Sequence, residues 1–293
     1  MLKHEYADVN GTRLHYATAG EGELIMFVHG FPEFWYAWKN QLAEFGRDYQ
    51  AVAPDMRGYN LSSKPADVDR YQIKILVEDL RALAERLGHE KFILVGHDWG
   101  GGIAWAFALS HPDYLKKLII INAPHPAIFE CELKNPAQQK ASEYMLMFQR
   151  PGEAETILSA NNYAFLVEAV LSEGLKQGYF NEEDLRAYLE AWSQPAALTG
   201  GLNYYRAAHI GPPTGEGGRA TGNFASDISS LHVKVPTLVI WGEKDPYLLT
   251  GNLEGLDRFV PNLTIRRIPD GSHWVVHEKP ALVNALIRDF LES

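Results

Sequence analysis

Titratable side chains follow three apolar runs of this sequence, at points where they could form one catalytic site. The first lies in Gly96–Gly100, which ends the apolar run "KFILV" and precedes "GGIAWAFALSHP", a segment with the composition of a helix. A strand that turns directly into a helix requires glycine where a side chain would clash. The Gly-x-Asp-x-Gly spacing is that of a nucleophile elbow, with aspartate where serine is more common. We therefore predict that Asp98 is a nucleophile.

The alternative role for Asp98 is a helix N-cap, because aspartate is common at that position. Two other strand ends favour the catalytic interpretation. Asp245 closes the run "TLVIWGEKD", and His273 lies in "IPDGSHWVVHEKP", just before a C-terminal helical pattern. Nucleophile, acid and histidine thus come in the chain order that accompanies an elbow of this kind. A lone histidine near a turn is usually a surface residue, but the three together predict a catalytic triad.

The elements that would position these residues alternate between strands and helices. Short, nearly continuous apolar runs are typical of parallel strands buried on both faces, and they occur in "ELIMFVHG", "YQAVAPDMRG", "KFILVGHD", "KKLIIINAP" and "PTLVIWGEKD". "HEYADVNGTRLHYATAG" alternates around Asn10-Gly11 and predicts a hairpin. "VEDLRALAERLG" places three leucines on one helix face before Gly88. The alternation predicts an α/β fold with a mostly parallel, doubly wound sheet.

The alternation stops after Pro126. Residues from about 127 to 228 carry helical patterns, among them "AQQKASEYMLMFQ", "AFLVEAVLSEGL" and "EEDLRAYLEAW", and then "IGPPTGEGGRATGNFASD", which predicts a long loop. Strand pattern resumes at Val235. We expect a core of residues 1–126 and 229–293, with residues 127–228 inserted as a helical lid. Such a lid would cover the carboxyl edge of the sheet, where open α/β sheets bind ligands.

The composition of this chain of 293 residues limits the classes of partner that it can bind. Its net charge of −10 argues against nucleic acid and anionic membranes. The longest apolar runs are too short to span a membrane, and the N-terminus shows no secretory signal. The single Cys131 excludes an internal disulfide and fits a reducing compartment. We expect a cytoplasmic protein that is a monomer or a homodimer.

Several classes of site are missing from the sequence. No Gly-x-Ser-x-Gly occurs, which argues against a serine esterase or lipase. No His, Cys and carboxylate cluster has metal-ligand spacing, and no glycine-rich stretch matches a phosphate loop or a dinucleotide fingerprint. We therefore expect neither a metal nor a cofactor.

The chain resembles the epoxide hydrolases of the α/β-hydrolase fold over essentially its whole length. The matching segments are "HGFPEFWYAW", "DMRGYNLSSKP", "GHDWGG", "NAPHP", "WGEKD" and "GSHW". The resemblance implies the α/β-hydrolase fold and the hydrolysis of a small apolar epoxide to a vicinal diol. Haloalkane dehalogenases share the aspartate-nucleophile branch, and the chain is similar to them as well.

An aspartate nucleophile suits a particular chemistry. A carboxylate can attack a saturated carbon that bears a leaving group, which makes an alkyl ester of the enzyme. Water activated by His273 would then attack the ester carbonyl of Asp98, and Asp245 would orient His273. The resemblance implies that the backbone N–H groups of Phe31 and Trp99 form the oxyanion hole.

Two residues of the "HGFP" turn have structural interpretations. We expect His29 to hold the turn rather than to react. The peptide bond before Pro32 is a candidate for the cis form, since cis peptides occur almost only before proline.

Ring opening of an epoxide releases an alkoxide, which requires a hydrogen-bond donor as it forms. Tyrosine is protonated at neutral pH and fits this role. Epoxide hydrolases of this fold present two lid tyrosines, and the resemblance assigns them to Tyr144, in "SEYMLMFQRPGEAE", and Tyr205, in "LNYYRA". The adjacent Tyr204 would point elsewhere on a helix. The alternative for any of the fourteen tyrosines is simple packing.

Two other functions stay open at this point. A haloalkane dehalogenase would use Trp99 and a second halide donor, usually an Asn in the "HG" turn or a lid Trp. Here the turn has Phe31, and Trp192 is the only lid tryptophan. A haloacid dehalogenase would need arginines beside Asp98, and none follows it. A non-catalytic ligand-binding protein would usually lack a triad member, whereas this chain has all three.

Overall fold

Eight strands form one sheet in the part of the chain that the computed structural model describes, residues 2–214 and 231–293. The strands are β1 (Lys3–Val9), β2 (Thr12–Ala19), β3 (Leu24–Val28), β4 (Gln50–Pro54), β5 (Phe92–His97), β6 (Leu115–Ile121), β7 (Thr237–Gly242) and β8 (Leu263–Ile268). The α-helices are α1 (Lys39–Phe45), α2 (Ile73–Arg86), α3 (Trp99–Ser110), α4 (Pro126–Glu132), α5 (Pro136–Ala141), α6 (Tyr144–Phe148), α7 (Glu153–Leu166), α8 (Ser172–Gln177), α9 (Glu182–Ser193), α10 (Ala197–Ala208), α11 (Val275–Glu278) and α12 (Pro280–Glu292). Short 3₁₀-helices cover Trp35–Trp38, Val68–Tyr71, Pro112–Tyr114, Thr250–Leu253 and Leu256–Arg258.

The sheet has the strand order β1-β2-β4-β3-β5-β6-β7-β8. The β1–β2 and β2–β4 pairs are antiparallel, and every pair from β4–β3 to β7–β8 is parallel. The predicted mostly parallel sheet is therefore confirmed. Because parallel strands end at the same edge, the segments that follow β3, β5, β7 and β8 lie next to one another there.

Helices cover both faces of the sheet. Each strand contributes to both layers, because alternate residues of a strand point to opposite faces. In β3, Leu24, Met26 and Val28 pack into one core cluster, with residues of α2, α3 and the helices after β6. Ile25 and Phe27 pack into the other, with residues of α1 and α12. This arrangement explains why the central strands read as unbroken apolar runs.

The local predictions for the first half of the chain agree with these elements. Asn10 and Gly11 connect β1 and β2 with positive φ angles of 44° and 69°, as the hairpin signal requires. Helix α2 begins one turn before the predicted pattern. It is followed by Gly88, at φ 87°, whose N–H donates to the carbonyl of Glu85.

The segment between β6 and β7 is helical in its described part, from α4 to α10, as predicted. Two predicted continuous patterns are divided. The pattern over 137–149 breaks at Ser142, whose hydroxyl accepts a hydrogen bond from Gln138. The pattern over 164–175 contains a π-helical turn at Val167–Leu171. Most of the predicted loop, and the predicted boundary at 228, lie outside the described residues.

Helix α7 is interrupted before that π-helical turn. Asn161, Asn162 and Tyr163 have consecutive positive φ angles of 50°, 55° and 61°, a conformation that costs free energy for residues with a side chain. Within the described ranges, no helix is both long and apolar enough to cross a membrane.

Candidate active site

Asp98 lies in the tight turn that joins β5 to α3. Its φ of 51° and ψ of −123° are unusual for a residue with a side chain. A Cβ on Gly96 would lie 2.4 Å from the carbonyl oxygen of Gly100, and a Cβ on Gly100 would lie 2.0 Å from that of Val28. Both glycines of the motif are thus required by backbone packing. The turn lifts the Asp98 carboxylate out of the sheet edge, where its side chain is 12% exposed.

Asp245 and His273 follow β7 and β8, which are neighbours in the sheet, and Asp98 follows β5 at the same edge, with only β6 between β5 and β7. The Nδ1–H of His273 donates to Oδ2 of Asp245 at 2.7 Å. On the other side of the ring, Nε2 lies 3.6 Å from Oδ2 of Asp98. The three predicted triad residues are therefore brought together, with the histidine between the two carboxylates.

The Asp245 carboxylate is fixed by three further hydrogen bonds. Its Oδ1 accepts from the backbone N–H groups of Tyr247 and Leu248, at 2.8 and 2.9 Å. Its Oδ2 also accepts from the side-chain amide of Asn122 at 2.8 Å. Asn122 was not predicted as a site residue, although it lies in the quoted segment "NAPHP". These bonds fix the orientation of the carboxylate and leave Oδ2 facing His273.

The charges around His273 favour its protonated form. Burial by itself lowers the pKa of this imidazole, but the charge and hydrogen bond of Asp245, followed by those of Asp98, raise the pKa to about 10. The two carboxylates on either side of the ring therefore stabilise its imidazolium form. Removing the charge of Asp98 would remove part of this stabilisation.

The turn after β3 supplies a backbone donor to the nucleophile. The N–H of Phe31 donates to Oδ1 of Asp98 at 2.7 Å. Trp99 is the first residue of α3, so its N–H points out of the helix toward the turn that carries Asp98. Of the two N–H groups expected in the oxyanion hole, that of Phe31 thus already contacts the Asp98 carboxylate.

The rest of the "HGFP" turn is structural. His29 is buried, its Nδ1–H donates to the carbonyl of Gly30, and its Nε2 accepts from the N–H of Met56. Both ring nitrogens are therefore used in holding the turn, as expected. The peptide bond between Phe31 and Pro32 is cis.

Tyr144 and Tyr205 reach the same cavity from the lid helices α6 and α10. Their ring centroids are 6.2 Å apart. Burial, with smaller contributions that include the nearby charge of Asp98, raises the pKa of both hydroxyls well above the usual value. Both side chains therefore stay protonated and can donate hydrogen bonds.

Tyr204 points away from the cavity, as predicted from its place on the helix. Its hydroxyl donates to the backbone carbonyl of Arg57 at 2.8 Å, and the residue is buried. Its role is thus to attach α10 to the loop after β4.

The cavity itself is mostly apolar and aromatic. Apart from the predicted residues, its walls include residues that sequence reasoning did not identify: Phe148, Phe165, Leu166, Ala169, Val170, Tyr247 and Trp274. Phe148 and the run from Phe165 to Val170 lie in the helical patterns already recognised, but nothing in those patterns shows which face lines a cavity. Of the described residues, Asp98 and His273 supply the ionisable groups of the cavity besides the tyrosines.

A second buried charge lies behind the triad. Glu33 is 1% exposed and accepts hydrogen bonds from Nε2–H of His277 at 2.5 Å and from the hydroxyl of Tyr188 at 2.8 Å. Nδ1 of His97 lies 3.3 Å from the same carboxylate, and its Nε2–H donates to the backbone carbonyl of His273. This network therefore joins the turn after β5, the backbone of His273 and helix α9.

The ionisation of Glu33 follows from these neighbours. Burial alone raises the pKa of this carboxyl, but the charges and hydrogen bonds of His277 and His97 hold it well below its usual range. Glu33 and His97 were missed as site residues, although each lies in a quoted motif, "HGFPEFWYAW" and "GHDWGG". Their types and spacing do not reveal that they share a buried network.

The lid tryptophan does not face the nucleophile. The indole N–H of Trp192 donates to the backbone carbonyl of Pro32 at 2.6 Å, and Trp192 is absent from the walls of the cavity around Asp98. A halide held beside Asp98 would therefore have no donor from this residue. Among the described residues, no group of three or more His, Cys, Asp or Glu side chains could hold a metal ion.

Comparisons with known proteins support the architecture and extend it. Residues 23–280 match the family described as "alpha/beta hydrolase fold". An AB hydrolase superfamily protein of Bacillus subtilis is 41% identical over 100% of this chain and 99% of its own length. Epoxide hydrolase 4 of mouse is 39% identical over 97% of this chain and 77% of its own. An epoxide hydrolase of Bacillus megaterium, solved as a mutant in complex with its product, has a TM-score of 0.92 at 40% identity, covering 99% of this chain and 100% of the other.

Proposed function

The chain belongs to the epoxide hydrolases of the α/β-hydrolase family, and we propose that it converts epoxides to vicinal diols through a covalent ester on Asp98. One observation carries the proposal. The Asp98 carboxylate faces the hydroxyls of Tyr144 and Tyr205 across an apolar cavity, and His273 lies beside it, hydrogen-bonded to Asp245. A nucleophile, two acids and a base for the second step thus meet at one place.

In the first step, a carboxylate oxygen of Asp98 attacks one carbon of the epoxide ring. The bond from that carbon to the ring oxygen breaks, and the oxygen leaves as an alkoxide. Tyr144 and Tyr205 donate hydrogen bonds to this oxygen, and one of them transfers its proton. The apolar walls strengthen these interactions, because little water competes for them.

Forming the ester prepares the second step. It removes the negative charge of Asp98, which is part of what raises the pKa of His273. The imidazolium then passes its extra proton to the tyrosinate left by the first step and becomes a base, while Asp245 keeps Nδ1 protonated. His273 takes a proton from water, and the hydroxide attacks the carbonyl carbon of the ester.

The tetrahedral intermediate carries its negative oxygen on Asp98. In the proposed mechanism the N–H groups of Phe31 and Trp99 stabilise it, which is supported by the hydrogen bond from Phe31 to Oδ1 of Asp98. Its collapse breaks the bond between the carbonyl carbon and the diol oxygen, and His273 returns a proton to that oxygen. The carboxylic acid left on Asp98 passes its proton to His273, which regenerates the carboxylate and the imidazolium.

The walls of the cavity support small, uncharged, apolar epoxides as substrates, since no Lys or Arg of the described ranges lines the cavity. The Bacillus megaterium enzyme was solved with (R)-3-[1]naphthyloxy-propane-1,2-diol as its product. We infer that terminal epoxides with an aryl substituent are suitable first substrates for this chain. Haloalkane dehalogenation is less well supported, because the indole of Trp192 is bound to Pro32.

The division of the chain supports the same mechanism. We propose that residues 127–228 form the lid and residues 1–126 and 229–293 the core. The support is that Tyr144, Phe148 and Tyr205, all between positions 127 and 228, face Asp98 across the cavity. We further propose a cytoplasmic monomer or homodimer without a nucleic-acid partner, which fits the single Cys131 and the net charge of −10.

A panel of epoxides and alkyl halides of matched size tests the function. Diol release and halide release would be measured in parallel with the purified protein. We expect diol from aryl-substituted terminal epoxides and no halide above the buffer rate. Halide release that exceeds diol release would make the chain a dehalogenase, and binding without either product would make it a ligand-binding protein.

A further inference from the structure

Helix α10, which carries Tyr205, contains two adjacent glycines in its first half. Gly200 and Gly201 lie in the sequence "ALTGGLNYYRAA". Glycine is the weakest helix former after proline, so a glycine pair inside a helix calls for a packing reason. Both residues are buried, so each packs directly against atoms of a neighbouring segment.

Gly200 touches the backbone of the loop after β4. A Cβ at this position would lie 2.2 Å from the carbonyl oxygen and 2.7 Å from Cα of Gly58. Gly58 in turn has φ 94°, and a Cβ on it would meet Gly200 at 3.0 Å. The two backbones are therefore in direct contact, with no room for a side chain on either.

Gly201 touches the turn that carries the oxyanion donor. A Cβ at this position would lie 2.8 and 2.9 Å from Cδ2 and Cε2 of Phe31, and 3.2 Å from Cε1 of Tyr59. The ring of Phe31 thus lies directly on the helix backbone. The backbone N–H of the same Phe31 donates to Asp98, so α10 is packed against the residue that holds the nucleophile.

Each glycine lies one helical turn before a tyrosine, and residues four apart share a helix face. Gly200 precedes Tyr204, whose hydroxyl donates to the carbonyl of Arg57, next to Gly58. Gly201 precedes Tyr205, whose ring packs edge-on against that of Phe31, with centroids 5.6 Å apart. The Phe31 ring therefore contacts both Gly201 and Tyr205.

We propose that Gly201 is a positioning residue for ring opening. Its missing side chain sets how closely α10 approaches Phe31, and this distance sets how far the hydroxyl of Tyr205 reaches toward the epoxide oxygen above Asp98. Gly200 fixes the same helix against Gly58. The inference rests on the proposed function, because it concerns the acid of the first half-reaction.

The test measures ester formation and ester decay separately in the variant Gly201→Ala. Single-turnover mixing with an aryl-substituted terminal epoxide, quenched in acid and followed by intact-protein mass spectrometry, gives the rates at which the ester forms and decays. We expect ester formation to slow by about tenfold or more, since ångström-scale misplacement of a reacting group has effects of this size. Decay of the ester should change by less than about threefold. Its base and acid, His273 and Asp245, are held by the core strands, and Phe31 acts in this step through its backbone N–H rather than through the ring that Gly201 touches.

Two further variants make the result specific. Thr199→Ala lies on the same helix, but its hydroxyl faces Glu155 of α7, so ester formation should stay within about twofold of wild type. Phe31→Leu replaces the rigid ring, whose Cδ2 and Cε2 a new Cβ would meet, with a smaller side chain that has no Cε atoms and can rotate away. The loss caused by Gly201→Ala should therefore be at least about threefold smaller in the Phe31→Leu background than in wild type, which is the coupling expected for side chains in contact.

If Gly201→Ala alone does not fold, the double variant Gly201→Ala/Phe31→Leu is compared with the single variant Phe31→Leu instead. It should form the ester within about threefold of that single variant. Equal slowing of ester formation and decay, full activity of Gly201→Ala, or no coupling to Phe31 would each overturn the proposal while leaving the epoxide hydrolase intact. A wild-type protein that releases no diol from any epoxide would overturn both.

Discussion

The core side and the lid side of the active site hold their reactive groups by different means. On the core side, directional hydrogen bonds dominate. Asp245 accepts four of them, including the one from His273, and Asp98 accepts one from the backbone of Phe31. Charge-assisted hydrogen bonds of this kind are short and directional, so they fix both the position and the orientation of the carboxylates.

On the lid side, aromatic ring contacts dominate. The ring of Tyr205 packs against those of Phe31, Trp99, Tyr144 and Phe148, with centroids 5.0 to 6.2 Å apart. Such contacts are worth about 0.5 to 1.5 kcal/mol each beyond burial, and they tolerate small shifts. The difference matches the two tasks. In the proposed mechanism, Asp98 and His273 act on each other in every turnover, whereas the position of the epoxide oxygen depends on the shape of the substrate.

The largest effect should come from the core side, in Asp98→Ala. No other carboxylate among the described residues lines the cavity to form the ester, so turnover should fall by about 10⁴-fold or more while the protein stays folded. Diol would be quantified by chromatography and folding by circular dichroism. Asp98→Asn is a poorer variant, because slow deamidation restores aspartate. Diol from a clean Asp98→Ala preparation would show that the ester is not required.

The second largest effect should come from His273→Gln. Ester formation needs only an ionised Asp98 and the lid donors, but hydrolysis needs a base, so steady turnover should fall by up to about 10⁴-fold. The variant should react once with a good epoxide and stop. Intact mass should increase by one substrate, located on the peptide that contains Asp98.

Wild-type protein in heavy-oxygen water supplies the control for that variant. Over several turnovers, label should enter the Asp98 carboxylate, because water attacks the ester carbonyl rather than the substrate carbon. Repeated turnover without label in Asp98 would mean that water attacks the epoxide directly. Asp98 would then be a general base, and the core side would not form a covalent bond.

Smaller effects are expected on the lid side. Tyr144→Phe and Tyr205→Phe should each slow ring opening by about 10- to 100-fold, because the other hydroxyl still donates. The double variant should be almost inactive, with a loss of about 10³-fold or more. Initial rates on one aryl-substituted terminal epoxide measure all three. Near-normal turnover of the double variant would contradict the assignment of these tyrosines as the acids.

The smallest effect should come from Tyr204→Phe, the matched control beside Tyr205. Its hydroxyl donates to a buried carbonyl of Arg57 and not to the cavity, so turnover should change by less than about threefold. Stability should fall by about 1 to 2 kcal/mol, since a buried acceptor loses its donor. Denaturant unfolding measures the second quantity. A loss of turnover as large as that of Tyr205→Phe would mean that the two tyrosines do not have separate roles.

The sheet, the turn that carries Asp98 and the three residues proposed as a triad could be predicted from the sequence alone. Their signals are local: apolar runs with the period of buried strands, and glycines at Gly96 and Gly100 where the backbone admits no side chain. The order of Asp98, Asp245 and His273 follows from the order of the strands they end. The tyrosine pair was identified by resemblance to a family, because no local rule separates a catalytic tyrosine from a packed one.

The contacts that hold these residues in place could be seen only in the tertiary structure. The hydrogen bonds made by Glu33, His97 and His277 in their buried network join residues 155 to 244 positions apart, so the network depends on strands and a lid helix that meet in space. The same holds for Gly201, whose close contact with Phe31 spans the lid and the core. Spacing along a chain specifies neighbours within a few residues. Contacts across a fold depend on how whole elements pack, and a single sequence does not state that arrangement.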